Sequence, residues 1–168
     1  MMIEARCRQK YYELFNEIIK VRGFEFTART RRPPRYALNA MISFGNTLLY
    51  NRIAMEINKT SLDIRIGIVH STNNRSETLN LDVADLFKPI LVDRTIFTLI
   101  NRKVLNLERD FITEDDGSVY MSAIGKRIFI SEFNSKLYQK LTEGGKTISY
   151  DTKLKQEVSK LYRYFYEG

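Results

Sequence analysis

The stretch ALNAMISFGNTLLYNRIAMEINK, residues 37–59, decides the fold. Its apolar residues recur at helical spacings, and they occupy more than one stripe of the helix surface. That pattern is typical of a helix that other elements cover on several sides. The stretch therefore predicts a long central helix, with apolar residues at Leu38, Met41, Ile42, Leu48, Leu49, Ile53 and Ile57.

Shorter patterns surround this helix and predict a mainly α fold. One helix is expected from Ile3 to Val21, and another from Leu81 to Arg102, where Pro89 either kinks the helix or divides it. Another helix is expected at residues 122–141, where Ser122 caps its start and Gly144-Gly145 ends it. The last helix is expected at residues 152–166. An Asp115-Asp116-Gly117 turn predicts a short hairpin within 108–120. We expect a single helical-bundle domain, residues 1–168, with at most a short β-hairpin.

Composition limits the class of protein. The chain has 168 residues, 43% of them hydrophobic, and no apolar run long enough to span a membrane. Cys7 is the only cysteine, which excludes an internal disulfide and a cysteine-rich zinc site, and a free thiol fits the cytoplasm. A net charge of +7 favours a polyanionic partner such as nucleic acid, although many basic proteins bind none.

His70 and two aspartates are candidates for chemistry. Residues 62–69 are rich in β-branched side chains and predict an extended segment that ends at His70, the only histidine. A lone histidine more often has a structural role. This one precedes a polar loop, which favours a position of its imidazole at a surface or at the edge of a cleft. Asp82 and Asp85 lie three positions apart on one face of a predicted helix. Favourable contact with the helix dipole is their alternative role, and it accounts for Glu4 as well.

If Glu4, His70 and Asp85 meet, two carboxylates and one imidazole form a site suited to Mn²⁺ or Mg²⁺. Such an ion neutralises a phosphodiester and orients a nucleophile. Zinc is disfavoured because the chain lacks a second histidine and a cysteine pair.

Four arginines form a second candidate site, for DNA. Two consecutive prolines keep residues 24–36 out of a helix, so the basic segment is expected to be an extended loop. Such a loop is suited to binding the phosphates of a DNA backbone. The alternative interpretation is a solvated surface loop without a ligand. The arginines are Arg29, Arg31, Arg32 and Arg35.

Several stretches, taken together and in order, resemble the catalytic domain of the CRISPR spacer-acquisition integrases, the Cas-one family. The resemblance spans residues 3 to about 141. Its stretches are IEARCRQKYYELFN, RTRRPPRYALNAMISFGNTLLYN, LDIRIGIVHS, LNLDVADLFKPILVDRTIFTLINR and VYMSAIGKRIFISEFNSKL.

The resemblance implies a role for each candidate residue. The family's metal-binding glutamate lies in the pattern Ile-Glu-small-x-x-Arg-x-x-Tyr, which Glu4 matches here. The family's histidine matches His70, and the second acid of its Asp-x-x-Asp/Glu motif matches Asp85. Asp82 then becomes a neighbouring acid that supports the site or faces DNA.

The resemblance also implies the reaction and the partners. A protospacer 3′-hydroxyl attacks a phosphodiester of the CRISPR repeat by transesterification, and the same site can cut branched DNA. Expected partners are the protospacer duplex, the CRISPR repeat, branched DNA, the small Cas-two protein and a second copy in a homodimer, but no membrane. The family's N-terminal β-rich domain has no counterpart in these residues, so impaired activity is expected. The alternatives are a non-catalytic DNA-binding module and a scaffold for protein partners.

Overall fold

The computed structural model describes residues 2–69 and 77–166, and the side chains of residues 2–5 and 143 lie outside that description. Two pairs of strands accompany the helices: β1 (Phe111–Thr113), β2 (Val119–Met121), β3 (Lys140–Glu143) and β4 (Lys146–Ser149). The helices are α1 (Met2–Glu13), α2 (Phe15–Ile18), α3 (Ala37–Ile57), α4 (Leu79–Phe87), α5 (Arg94–Asn101), α6 (Leu107–Asp110), α7 (Ala123–Leu137) and α8 (Tyr150–Tyr166). The mainly α fold class is confirmed.

The predicted hairpin is confirmed as β1 and β2. These strands pair antiparallel, with Phe111 opposite Met121. Gly117 has a φ of 76°, a left-handed conformation that glycine adopts without steric cost. The Ser118 N–H donates to Oδ1 of Asp116 at 2.8 Å and fixes the turn.

A second hairpin, β3 with β4, occurs where the sequence predicted only the end of a helix. Its strands pair antiparallel, with Lys140 opposite Ser149. Gly144 and Gly145 both have a positive φ, of 55° and 76°, as a tight two-residue turn requires. The two glycines therefore reverse a strand instead of ending the helix α7, which has already ended at Leu137.

The described chain forms two compact units. The first unit comprises residues 1–45 and 93–132, and the second comprises 46–92 and 133–168. No single point of the sequence separates them, since each unit combines an early and a late segment. The boundaries fall inside α3, between Val92 and Asp93, and inside α7.

Aromatic side chains fill the core of the first unit. Phe15 packs edge-on against Phe97 with ring centroids 4.7 Å apart, and Tyr12 stacks on Phe26 at 5.5 Å.

Ser122 caps α7 as predicted, because its Oγ accepts the N–H of Gly125 at 3.1 Å.

An ion-pair network holds α3 to α8 within the second unit. The Arg52 guanidinium donates to Glu56 Oε1 at 2.5 Å and also to Asp151 Oδ1. All three side chains are largely buried. Burial acts to raise the pKa of Asp151, but hydrogen bonds from Lys155 and Arg52 outweigh it and lower the pKa below its ordinary value.

The helical run predicted from Leu81 to Arg102 is interrupted at Pro89, as expected, and it consists of two α-helices that are joined without a loop. A π-helical segment, Lys88–Asp93, contains the proline and connects α4 directly to α5. The wider turn accommodates a residue that lacks an N–H. Among the described helices, none has both the length and the apolar character needed to cross a membrane.

Candidate functional site

The start of α4 is held against the segment that precedes His70 in the chain. The N–H groups of Thr78 and Leu79 both donate to the Ile64 carbonyl oxygen at 3.0 Å. The Thr78 hydroxyl, which is buried, donates to the Arg65 carbonyl oxygen at 2.7 Å. These bonds attach residues 64 and 65 to the first turn of the helix, so this segment is fixed by its partner helix rather than by a strand.

Asp82 holds the end of the same segment. Its Oδ2 accepts the backbone N–H of Ile68 at 2.6 Å and that of Val69 at 3.0 Å. Residues 64–65 form a turn and residues 68–69 a bend, and the prediction of an extended segment from Leu62 to Val69 was wrong. Side-chain bonding to the backbone replaces strand pairing here. Asp82 therefore fixes the backbone up to the residue before His70.

Asp85 lies one helical turn after Asp82 and contacts a cation of the protein itself. The ammonium of Lys88 is 2.6 Å from Asp85 Oδ1, and the Asp85 side chain is 41% exposed. The same ammonium lies 4.9 Å from the centroid of the Tyr50 ring. Oδ1 of this carboxylate is thus paired with a cation of the protein, and a carboxylate is also the kind of ligand that Mn²⁺ and Mg²⁺ prefer.

The other two predicted ligands cannot be placed in the same detail. Glu4 belongs to α1 in the first unit, but its side chain lies outside the description, and His70 lies outside the described residues altogether. Among the described side chains, no group of three or more His, Cys, Asp or Glu residues is close enough to hold a metal. The triad of Glu4, His70 and Asp85 stays a prediction.

The helix that carries Glu4 is anchored through Tyr11. The Tyr11 hydroxyl donates to Oδ2 of Asp93 at 2.6 Å, and Asp93 is buried within the first unit. Burial and the hydrogen bond to Asp93 both raise the pKa of Tyr11. Sequence reasoning did not find this contact, because the two residues are 82 positions apart.

The four arginines of the predicted phosphate-binding loop differ in their surroundings. Arg29 is half-buried, and its guanidinium donates at 3.0 Å to Asn39 Oδ1 and at 3.0 Å to Ser43 Oγ. Arg35 donates to the Asp116 carbonyl oxygen. The remaining two arginines, Arg31 and Arg32, are exposed. Arg29 and Arg35 therefore brace the loop, and Arg31 and Arg32 face solvent.

A cleft of about 420 Å³ lies between α1 and this loop, and we call it the basic cleft. The sequence did not predict it, although Arg8, Tyr12 and Phe26 are near the predicted site residues in the chain. Its lining residues are Arg8, Gln9, Tyr12, Phe26, Ala28, Arg29 and Arg31.

The fold and the acidic face of α4 define a helical domain with a candidate carboxylate site. The family model described as "CRISPR associated protein Cas1" matches residues 1–135, which is most of the chain. The chain belongs to the CRISPR-associated protein Cas1 family, and the resemblance seen in the sequence is confirmed.

Relatives and solved structures agree with this assignment. A "CRISPR-associated endonuclease Cas1 2" of Thermodesulfovibrio yellowstonii is 39% identical over 99% of this chain and 51% of its own length. The structure of a Cas1 protein from Thermotoga maritima is 36% identical, with a TM-score of 0.84 over 96% of this chain and 51% of that one. A casposase bound to integration product shares the fold at 23% identity, with a TM-score of 0.87. The chain spans about half the length of the curated relatives it matches.

Proposed function

We propose that this chain supplies the catalytic part of a metal-dependent DNA endonuclease and integrase of CRISPR spacer acquisition. The observation that carries the proposal is the acidic face of α4 in a member of the Cas1 family. On this face Asp82 binds the backbone directly before His70, and Asp85 follows one turn later. Relatives that match nearly the whole chain are named endonucleases.

Glu4, His70 and Asp85 are proposed to hold Mn²⁺ or Mg²⁺. When bound, such an ion neutralises charge on a phosphodiester and orients a nucleophilic oxygen. Asp82 restrains the backbone that leads to His70, as residues beside metal ligands commonly do. Lys88 orients Asp85 and places a positive charge next to it, where a substrate phosphate gains from the attraction.

The proposed reaction is the transfer of a phosphodiester to a 3′-hydroxyl. The new phosphorus–oxygen bond forms to the protospacer end while the bond to the leaving 3′-oxygen of the repeat strand breaks, so the number of phosphodiesters is conserved. With water as the nucleophile, the same site cleaves DNA. The proposed partners are protospacer, repeat and branched DNA, the small Cas-two protein and a second copy of the chain.

Metal binding and cleavage of a branched DNA by the same protein test the proposal. His70→Ala and Asp85→Asn are each expected to abolish cleavage in Mn²⁺ and to weaken Mn²⁺ binding, measured by calorimetry, while DNA affinity changes little. The matched control is Asp115→Asn, which replaces an exposed carboxylate in the first hairpin. A folded protein that binds no Mn²⁺, or a His70→Ala variant that cuts as well as its parent, overturns the proposal. DNA binding without any metal binding favours the non-catalytic alternative.

A further inference from the structure

The start of the basic loop, defined as residues 28–35, is fixed by α3. The side-chain amide of Asn39 donates to the Ala28 carbonyl oxygen at 2.8 Å. The Arg29 guanidinium donates in return to Asn39 Oδ1 and to Ser43 Oγ, both at 3.0 Å. Asn39 is buried, and Ser43 follows it by four positions on the same helix face. Two side chains of α3 therefore hold the first two residues of the loop.

The end of the loop is fixed by the first hairpin. The Val119 N–H of β2 donates to the Pro34 carbonyl oxygen at 2.8 Å, and Pro34 is buried. The Arg35 guanidinium donates to the Asp116 carbonyl oxygen in the hairpin turn. The backbone N–H of Arg35 also donates to Thr30 Oγ1 at 2.9 Å, which closes the loop on itself. All of these residues belong to the first unit, and the loop is therefore attached at both ends.

Arg31 and Arg32 lie between the two attachments, and both are exposed. Arginines on a fixed loop lose less conformational entropy on binding phosphate than arginines on a mobile loop. Arg35 differs from them, because its guanidinium already binds a backbone carbonyl of the hairpin. The tip of its side chain also lies close to Gly117, where a Cβ would be 3.2 Å from Arg35 Nη1. These contacts favour a role for Arg35 in holding the loop.

We propose that the first hairpin is a positioning element for DNA binding and that Arg35 is its contact with the basic loop. Arg35 fixes the end of the loop, and Arg31 and Arg32 bind backbone phosphates from a loop that is ordered before DNA arrives. The sequence pattern assigned one role to all four arginines, whereas their contacts separate the two that hold the loop from the two that bind. This inference rests on the proposed function for DNA as the ligand, and it adds which residues prepare the binding surface.

Fluorescence anisotropy of a fluorescein-labelled branched DNA in EDTA, measured at several salt concentrations, separates the two roles. Arg31→Ala is expected to weaken binding about tenfold and to reduce the steepness of log affinity against log salt by about 0.9, because a phosphate contact is lost. Arg35→Ala is expected to weaken binding about fivefold with the salt dependence unchanged, because the loop is then ordered only on binding.

The control for lost charge is Arg127→Ala, which removes a guanidinium from an exposed position on α7. Its affinity is expected to stay within about twofold of the parent protein. Two results overturn the proposal. One is an equal reduction of the salt dependence in Arg31→Ala and Arg35→Ala, which would make Arg35 a phosphate ligand. The other is an Arg35→Ala affinity no lower than that of the Arg127→Ala control.

A second pair of variants displaces Arg35 without changing charge. Gly117 and Gly145 both have a φ of 76°, in the turns of the first and second hairpins, and asparagine tolerates this left-handed conformation. Gly117→Asn pushes against the Arg35 guanidinium, whereas no atom of the described residues lies within 4 Å of a Cβ placed at Gly145. Gly117→Asn is expected to weaken branched-DNA binding about threefold, and Gly145→Asn is expected to leave it unchanged. Equal affinities in these two variants contradict the proposal.

Combining two changes tests whether Gly117→Asn acts through Arg35. In Arg35→Ala the side chain that the asparagine displaces is absent, so adding Gly117→Asn is expected to have no further effect on affinity. A full threefold loss in this background would show that the hairpin affects DNA binding by another route, and it would overturn the role of Arg35.

The outcome is distinguishable from that of the proposed function. EDTA removes divalent metal, so the binding measurement does not require cleavage. The expected affinity changes in Arg35→Ala and Gly117→Asn support the positioning role even if the parent protein never cuts DNA. Metal-dependent cleavage together with unaltered DNA binding in both variants refutes the positioning role and leaves the proposed function standing.

Discussion

Replacing Asp82 with alanine removes the carboxylate that accepts the N–H groups of Ile68 and Val69, at 2.6 and 3.0 Å. Hydrogen bonds to charged groups contribute roughly 1.5–3 kcal/mol each. Ile68 and Val69 are 58% and 81% exposed, so water satisfies most of the freed donors. We therefore expect the free energy of unfolding to fall by only about 1–2 kcal/mol in total.

The effect on metal binding is expected to exceed the effect on stability. Without Asp82, the backbone before His70 samples more conformations, so more conformational entropy is lost when a ligand at position 70 binds the proposed metal. Changes to groups that support metal ligands typically cost about 10- to 100-fold in affinity. We expect a loss of that size for Mn²⁺ with Asp82→Ala, measured by isothermal titration calorimetry alongside urea unfolding. Asp82→Asn keeps one oxygen acceptor and is expected to lose less.

A matched control separates this restraint from a loss of charge. Asp63 lies in the same irregular segment and accepts the N–H of Arg65 at 2.9 Å, away from Ile68 and Val69. Asp63→Ala removes one negative charge and is expected to change Mn²⁺ affinity less than twofold. A twofold change corresponds to roughly 0.4 kcal/mol of binding free energy. If Asp63→Ala weakens Mn²⁺ binding as much as Asp82→Ala does, or if Asp82→Ala leaves it unaltered, the positional reasoning is refuted.

Two other contacts give expected outcomes in urea unfolding. Asp151→Asn leaves the largely buried Arg52 without one anionic partner and is expected to lower the free energy of unfolding by about 3 kcal/mol. The folded protein lowers the pKa of Asp151, so the contribution of Asp151 to stability is present above the ordinary pKa of 3.8 and is lost as pH falls. Acid below about pH 4 is therefore expected to destabilise the wild type more than Asp151→Asn. Equal dependence of stability on pH in the two proteins would contradict this. Gly125→Ala places a Cβ 2.4 Å from the Asp110 carbonyl oxygen. This overpacking is expected to lower the free energy of unfolding by about 1–3 kcal/mol, despite the better helix propensity of alanine. Unchanged stability would show that the backbone moves to make room for the Cβ.

Local patterns predicted the elements whose stability is local. The apolar spacing of residues 37–59 identified α3, and the Asp115-Asp116-Gly117 turn located the first hairpin. The serine before α7 was recognised as its cap. The pattern that signals each of these features lies within a single short stretch, so it can be read from the sequence alone.

Features that depend on distant partners were not predicted. The segment from Leu62 to Val69 has strand-forming composition, yet it bonds to the start of α4 and to Asp82 instead. The basic loop appeared uniform, but Asn39 and Ser43 bind Arg29 inside the first unit. In the candidate site, the spacing of the two aspartates was visible in the sequence, whereas the backbone contact of Asp82 was not.

The ion pair between Asp85 and Lys88 has a consequence for the way in which a divalent ion enters the proposed site. Oδ1 of Asp85 already has a counterion at 2.6 Å. If the proposed divalent ion takes Oδ1 itself, it exchanges with an ammonium instead of adding to a bare anion, and the local charge rises by one instead of two. The displaced Lys88 ammonium remains one turn away on the same helical run. Under the proposed function, entry of the metal would thus release a cation for the phosphate that follows it, and loading of the ion would be linked to capture of the substrate.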